Sequence, residues 1–275
     1  MSPETATAPP KLATISIEID GAIATMTLNR PDALNAMSPE MIGELVLAAG
    51  WLADQAPLRA LIVTGNGRGF SAGGDVNWFK TGLDDPQVDL PSNVRRGADV
   101  LHQAIVDFRR IPYPVIGAVN GVAAGAGFSL ALMCDVRIAS SDAAFVCAYG
   151  RIGASPDGGM TYFLPRTVGP AKALELLLND PLISAEQALE LGIVSKVVAP
   201  EALAETARAK AEKLAAKAPH YVRMAKLLVA QSLDNTLADH LQTERHGIAD
   251  SMATEDLQEG VAAFFEGREA HFEGK

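Results

Sequence analysis

Two glycine-rich turns and one carboxylate are the residues of this chain best suited to chemistry. The turns are Phe70-Ser71-Ala72-Gly73-Gly74-Asp75 and Asn120-Gly121-Val122-Ala123-Ala124-Gly125-Ala126-Gly127, and the carboxylate is Asp157 in Ser155-Pro156-Asp157-Gly158-Gly159. Bare backbone lets a substrate oxygen come within hydrogen-bond distance of amide groups. Each turn follows an apolar run, Ala60 to Thr64 and Val115 to Val119. The second also opens into the helix-like Phe128-Ser129-Leu130-Ala131-Leu132-Met133, whose start adds partial positive charge. Two such turns aimed at one point make an oxyanion hole, and a nearby carboxylate can carry a proton. Glycines between strand and helix also serve plain tight turns, and Asp157 also fits a Pro-Asp-Gly turn. The spacing G-x-x-x-G-x-G in the second turn is not the dinucleotide fingerprint, and no G-K-[ST] follows either turn.

The elements that must hold these turns can be read from periodicity. Residues Ile15 to Ile19 and Ile23 to Leu28 alternate around Asp20-Gly21, which predicts a hairpin. Ser38-Pro39-Glu40 starts a helix to about Asp54, Phe79 to Pro91 reads as a mobile loop, and Asn93 to Arg110 is helix-like. Val136 to Ala139 and Ala144 to Ala148 continue a β-β-α rhythm, with Ala171 to Leu178 as the next helix. From Glu201 the pattern becomes four successive helices, 201–218, 220–233, 236–251 and 254–266. The expected organisation is a flexible tail over 1–12, an α/β core over 13–200 and a helical region over 201–275. That last region fits either a cover over the core or a subunit contact.

Composition narrows the partners. The 275 residues carry a formal charge of -10, which disfavours nucleic acid and anionic membrane surfaces. No apolar run is long enough for a membrane span, and Met1 to Pro10 lacks the pattern of a signal peptide, so a cytoplasmic location is expected. Cys134 and Cys147 read as reduced core residues. The five histidines show no paired-ligand spacing, so neither a metal nor another resident cofactor is expected. If the ligand carries phosphates, Arg30, Arg68 and Arg268 are the cations to consider, and Trp78, Phe79 and Phe128 are candidate pocket walls.

From Ala13 to Lys275 the chain resembles the enoyl-CoA hydratase/isomerase, or crotonase, superfamily. The resemblance rests on Leu28-Asn29-Arg30-Pro31 with Leu34-Asn35-Ala36, the Phe70-to-Asp75 turn and Pro114 to Gly127. It continues through Ile152-Gly153 with Ser155 to Gly159, Leu164-Pro165-Arg166 with Val168-Gly169, Ala188 with Leu191 to Val194, and Phe265-Gly267-Arg268-Phe272. It implies an α/β spiral of repeated β-β-α units with a helical C-terminal region, a homotrimer or a hexamer built as a dimer of trimers, and an acyl-coenzyme A thioester as substrate. Carried over by position, the amides of Gly74 and Ala126 hold the thioester oxygen. The coenzyme falls against the loop after Arg30, near Asp32 and Leu34, and against Ala72 and Asp75, with Val76, Trp78, Phe128 and Arg268 as further contacts.

The resemblance also frames the reaction. Two-glutamate hydratases carry acids where this chain has Ser129 and Tyr149, which leaves Asp157 as the acid/base candidate. A carboxylate there resembles the single-aspartate enoyl-CoA isomerases of the superfamily, and one carboxylate suffices for a 1,3-proton shift across an enolate. The trio His102, Tyr149 and Asp157 also resembles the aryl-thioester dehalogenases, with Tyr149 in place of a tryptophan. The leading expectation is therefore an acyl-CoA isomerase in fatty-acid or aromatic-acid breakdown. An acyl- or aryl-CoA hydrolase, a broad enoyl-CoA hydratase and a non-catalytic coenzyme A scaffold stand as alternatives.

Overall fold

The computed structural model describes residues 8–275 apart from Ala56, so residues 1–7 of the expected tail lie outside the described residues. Residues 8–12 have no regular structure, and Leu12 packs against the core. Strands β1 (Ile15–Asp20) and β2 (Ile23–Leu28) form the expected antiparallel hairpin, with Asp20 opposite Ile23 and Ile15 opposite Leu28. Gly21 turns the chain at φ 61°, a conformation that glycine adopts without strain.

Beyond the hairpin the large sheet is parallel. It is completed by β3 (Ala60–Gly65), β5 (Val115–Val119), β7 (Val136–Ser140) and β10 (Lys196–Val198), in the order β1-β2-β3-β5-β7-β10. A second sheet contains β4 (Gly69–Ser71), β6 (Val122–Ala124), β8 (Ala144–Val146) and β9 (Ile183–Ser184), in that order. The successive pairs β3/β4, β5/β6 and β7/β8 thus each place one strand in each sheet, which is the predicted repeated unit.

Strand β3 shows why its sequence is continuously apolar. Leu61 and Val63 join the main core, while Ala60 and Ile62 face the other way into a second cluster. A strand covered on both faces has no polar side to alternate with. The main core is capped by α1 (Pro39–Ala53), which buries Met41, Leu45, Ala48, Ala49 and Leu52. Ser38 starts that helix by accepting a hydrogen bond from the Met41 amide.

The stretch 79–91, expected as a loop, is mostly helical. Helix α2 (Val76–Asp84) runs through Gly82, and α3 (Leu90–Arg110) begins before the expected Asn93. Asp75 caps α2 on the Asn77 amide, Asp89 caps α3 on the Ser92 amide, and Pro91 sits in the first turn of α3, where its missing N–H costs nothing. Then come α4 (Ala126–Met133), buried along its whole length, α5 (Met160–Val168), α6 (Pro170–Asn179) and α7 (Ala185–Glu190).

The four C-terminal helices are α8 (Leu203–Ala215), α9 (Pro219–Gln231), α10 (Leu237–Ser251) and α11 (Glu255–Glu266). Helix α8 packs on the sheet. Its Leu203, Ala207 and Ala211 complete the second cluster with Ile23, Ile116, Ala118 and Ile138. Helix α9 is tied to the core by charge: Lys226 Nζ lies 2.6 Å from Asp135 Oδ2, and Asp135 Oδ1 receives Arg109 Nη1 at 2.8 Å. Among the described residues no helix is long and apolar enough to cross a membrane.

Candidate active site

The three pieces of the site follow three neighbouring strands of the small sheet. After β4 comes the turn with Gly73 and Gly74, after β6 the turn with Gly125 and Ala126, and after β8 the short turn that carries Tyr149. Gly73 is at φ 89°, and a Cβ there would meet the Ala124 carbonyl oxygen at 2.6 Å and the Ala126 nitrogen at 3.3 Å. The glycine is therefore a packing requirement that brings the two turns together.

Among the described residues, both amides expected to hold an oxygen are without an acceptor. Met37 pairs with Gly74 in a parallel bridge, the Met37 amide donating to the Gly73 carbonyl at 2.7 Å and the Asp75 amide to the Met37 carbonyl at 3.2 Å. That alternation leaves the N–H of Gly74 directed away from the bridge. Ala126 is the first residue of α4, where an amide has no intrahelical acceptor. Among the described residues neither N–H has a protein acceptor, and both stand where the turns touch.

Asp157 reaches this place through Tyr149. The buried Tyr149 hydroxyl lies 2.8 Å from Asp157 Oδ1 and 3.1 Å from the Asp157 carbonyl. Ser129, on the face of α4 below the second turn, lies 3.1 Å from the same carbonyl and 3.4 Å from the Tyr149 oxygen. Ser129 Oγ and the Met160 amide thus donate to one carbonyl and fix the Asp157 backbone, while the single Tyr149 proton serves the shorter contact to Oδ1. Oδ2 of Asp157 has no hydrogen-bond partner among the described residues. Burial, and then the charge of Asp157, hold the Tyr149 phenol well above the usual tyrosine range, so it remains a donor. Tyr149 is itself anchored by Asp180 at the end of α6, which accepts from the Ala148 amide at 2.7 Å and pairs with Arg151 at 2.9 Å.

His102, on α3, joins the group in an unexpected role. Its Nε2 accepts the Gly158 amide at 3.3 Å, so the nitrogen that faces the site is occupied by the turn next to Asp157. The structure therefore brings together Gly74, Ala126, Tyr149, Asp157 and His102.

The expected coenzyme contacts divide. Asp32 is exposed in a short 3-10 turn, Leu34 adopts φ 49° and gives its carbonyl to the Ala72 amide at 2.9 Å, and Val76 is exposed at the start of α2. Trp78 packs on Phe79 with centroids 5.3 Å apart, and Phe79 lies against Gly74. These positions border the first turn. Phe128 does not: it is fully buried against Phe145, with centroids 5.3 Å apart, so it is core and not a pocket wall. Arg268 is engaged by Glu259 at 2.6 and 2.8 Å and by Glu266 at 2.6 Å, and none of its hydrogen bonds reaches the turns. Arg30 is paired with Asp75 at 3.0 Å.

Two further residues brace the turns. In the sequence Ser129 stands out only as a position without a carboxylate, and in the fold its hydroxyl meets the Asp157 carbonyl. Asn35 is fully buried at φ 55°; its Oδ1 accepts the Arg30 amide at 2.8 Å, and its Nδ2 donates to the carbonyls of Asn66 and Gly69 at 2.9 and 2.8 Å. A left-handed asparagine in a loop is the signal that could have shown it.

The enoyl-CoA hydratase/isomerase family model matches residues 18–275. The chain belongs to that family. It is 39% identical over 257 residues to the 1,2-epoxyphenylacetyl-CoA isomerase of Escherichia coli K12, covering 94% of this chain and 97% of the relative. It is 33% identical over 262 residues to the short-chain-enoyl-CoA hydratase of Clostridium acetobutylicum, covering 94% and 97%. Among solved structures, the enoyl-CoA hydratase subunit I of Geobacillus kaustophilus superposes with a TM-score of 0.87 at 36% identity, over 97% of this chain and all of the other. The fold is thus the crotonase fold, and its members named here include one isomerase and two hydratases.

Proposed function

We propose that this family member is an acyl-CoA isomerase that moves a double bond or proton through a thioester enolate. The observation that carries the reading is that, among the described residues, Asp157 is the unpaired acid that Tyr149 holds beside the second turn. Asp157 is held by Tyr149, while the two positions that carry glutamates in two-glutamate hydratases hold Ser129 and Tyr149. The 39% identity to an isomerase points the same way.

In this mechanism the thioester oxygen sits between the Gly74 and Ala126 amides, and Asp157 Oδ2 takes a proton from the carbon next to the carbonyl. The electron pair moves onto the oxygen, giving the enolate that the two amides stabilise. Asp157 then returns the proton two carbons further along, and the pair flows back to form the new double bond. Two preorganised donors lower the barrier because they meet charge that exists only after proton removal. Coenzyme A enters as part of the substrate, and no resident cofactor takes part. The hydrolase reading needs His102 to draw a proton from water, yet its Nε2 accepts the Gly158 amide. The protein acts in the cytoplasm as a trimer or a dimer of trimers in this reading, which the exposed apolar face of α9 to α11 supports.

The test is a turnover panel of 3-enoyl-, 2-enoyl- and aryl-CoA thioesters in deuterated water. Shift of a 3-enoyl double bond with solvent exchange and no coenzyme A release is expected. Efficient hydration of a 2-enoyl-CoA without isomerisation would make the protein a hydratase.

A further inference from the structure

Arg30 looks from sequence like a phosphate ligand, but its surroundings describe a different task. Its side chain is only 26% exposed, and its guanidinium stands 3.0 Å from Oδ2 of Asp75, whose side chain is 11% exposed. A second guanidinium nitrogen donates to the Ala36 carbonyl. Asp75 is the residue next to Gly74, and its other oxygen caps α2 on the Asn77 amide. The loop 30–37 also zips onto the first turn through Leu34 to Ala72 and through both bonds of the Met37 bridge. The ion pair closes the open end of that zipper.

We propose that Arg30 is a positioning residue of the oxyanion hole, fixing the Gly74 amide through Asp75, and that it does not bind the phosphates of coenzyme A. The inference rests on the proposed function, because it assigns Gly74 to the thioester oxygen. Its physical basis is geometric. A planar cation that donates through two nitrogens holds a carboxylate and a carbonyl in one orientation, and a small displacement of a catalytic donor is enough to cost much of its effect.

The experiment compares Arg30→Met and Arg30→Lys with the natural enzyme on two substrates, a 3-enoyl-CoA and the matching N-acetylcysteamine thioester, which has no phosphates. Arg30→Met is expected to lower kcat by about 10- to 100-fold on both thioesters, with KM for the coenzyme A substrate changed by less than about threefold. Arg30→Lys keeps the charge and loses the fork, so it should recover only part of the rate. Asp75→Asn should act in the same direction, and the double variant should be no worse than the poorer single one. A rise in KM confined to the coenzyme A substrate, with kcat intact, overturns the proposal and makes Arg30 a phosphate ligand. If Arg30→Met does not fold, Asp75→Asn carries the same test, and full activity on both thioesters overturns it. If the natural enzyme isomerises no thioester, the proposed function fails first. Calorimetric binding of coenzyme A then judges Arg30 alone, and a tenfold or larger loss of affinity in Arg30→Met overturns its positioning role.

Discussion

Asp157 gives one oxygen to Tyr149, and in the proposed mechanism it offers the other to the substrate, so the two residues should separate in a mutant series. Asp157→Asn preserves shape and removes the base, so solvent exchange and isomerisation should fall together by about 10²- to 10⁴-fold, read by proton magnetic resonance. Tyr149→Phe keeps the ring and removes one neutral donor, which should lower kcat by about tenfold and leave substrate binding unchanged. A Tyr149 defect as large as that of Asp157 would make the phenol a proton donor in its own right. The raised phenols of Tyr113 and Tyr149 have a pH consequence as well. A tyrosine whose folded pKa lies above its unfolded value near 10 adds stability below that pH and loses it as pH rises. In an alkaline absorbance titration, the part of the signal due to these two should therefore arrive together with loss of the native circular dichroism. At this scale the sequence showed Asp157 and the bare turns, since both are matters of residue type. It did not show that His102 serves the Gly158 amide, because that contact joins α3 to a turn distant in the chain and no local pattern encodes it.

At the scale of elements, the proposed hole depends on a helix start that tolerates proline. Ala126→Pro removes one donor at the first position of α4, where a missing N–H breaks no intrahelical bond. Turnover should drop about 10²-fold or more while circular dichroism stays native, and an active folded variant would remove Ala126 from the hole. The join between α3, β5, β7 and α9 rests on Asp135, which also accepts the Val115 amide at 2.9 Å. Asp135→Ala leaves Lys226 and Arg109 partly buried without a counter-charge, and urea unfolding should report a loss of about 3 to 5 kcal/mol. The hairpin and the C-terminal helices were legible because Asp20-Gly21 and long amphipathic runs leave little choice. Helix α2 was hidden by Gly82 and by prolines after it, although Asp75 was a readable cap. Helix α7 carried a capping box, Ser184 with Gln187, that announces a start, but its six residues are too few for periodicity to register. Strands β9 and β10, of two and three residues, owe their existence to the neighbours that complete their hydrogen bonds.

For the whole molecule, the decisive surface is the far side of α9 to α11. Phe264 and Phe265 are 81% and 82% exposed, and with Tyr221, Ile248 and Val261 they border an apolar groove of about 650 Å³. A patch of this kind on an isolated chain calls for a partner, and the trimer proposed above would supply it. Light scattering should give a mass near a multiple of three subunits, and Phe264→Glu with Phe265→Glu should release monomers; a natural protein that is already monomeric at micromolar concentration refutes the assembly. The same face has a bearing on how the chain reaches its native state. Among the described residues the first hairpin is the only antiparallel pairing in the large sheet; after it, Leu61 must find Val115 and Ile138 must find Lys196. Parallel pairings between such distant segments must close large loops before any contact rewards them, which slows folding. For that interval Phe264 and Phe265 would be exposed on an incomplete chain. Refolding from urea should therefore yield less native enzyme as protein concentration rises, with the lost fraction in aggregates that the Phe264→Glu and Phe265→Glu variant forms less readily.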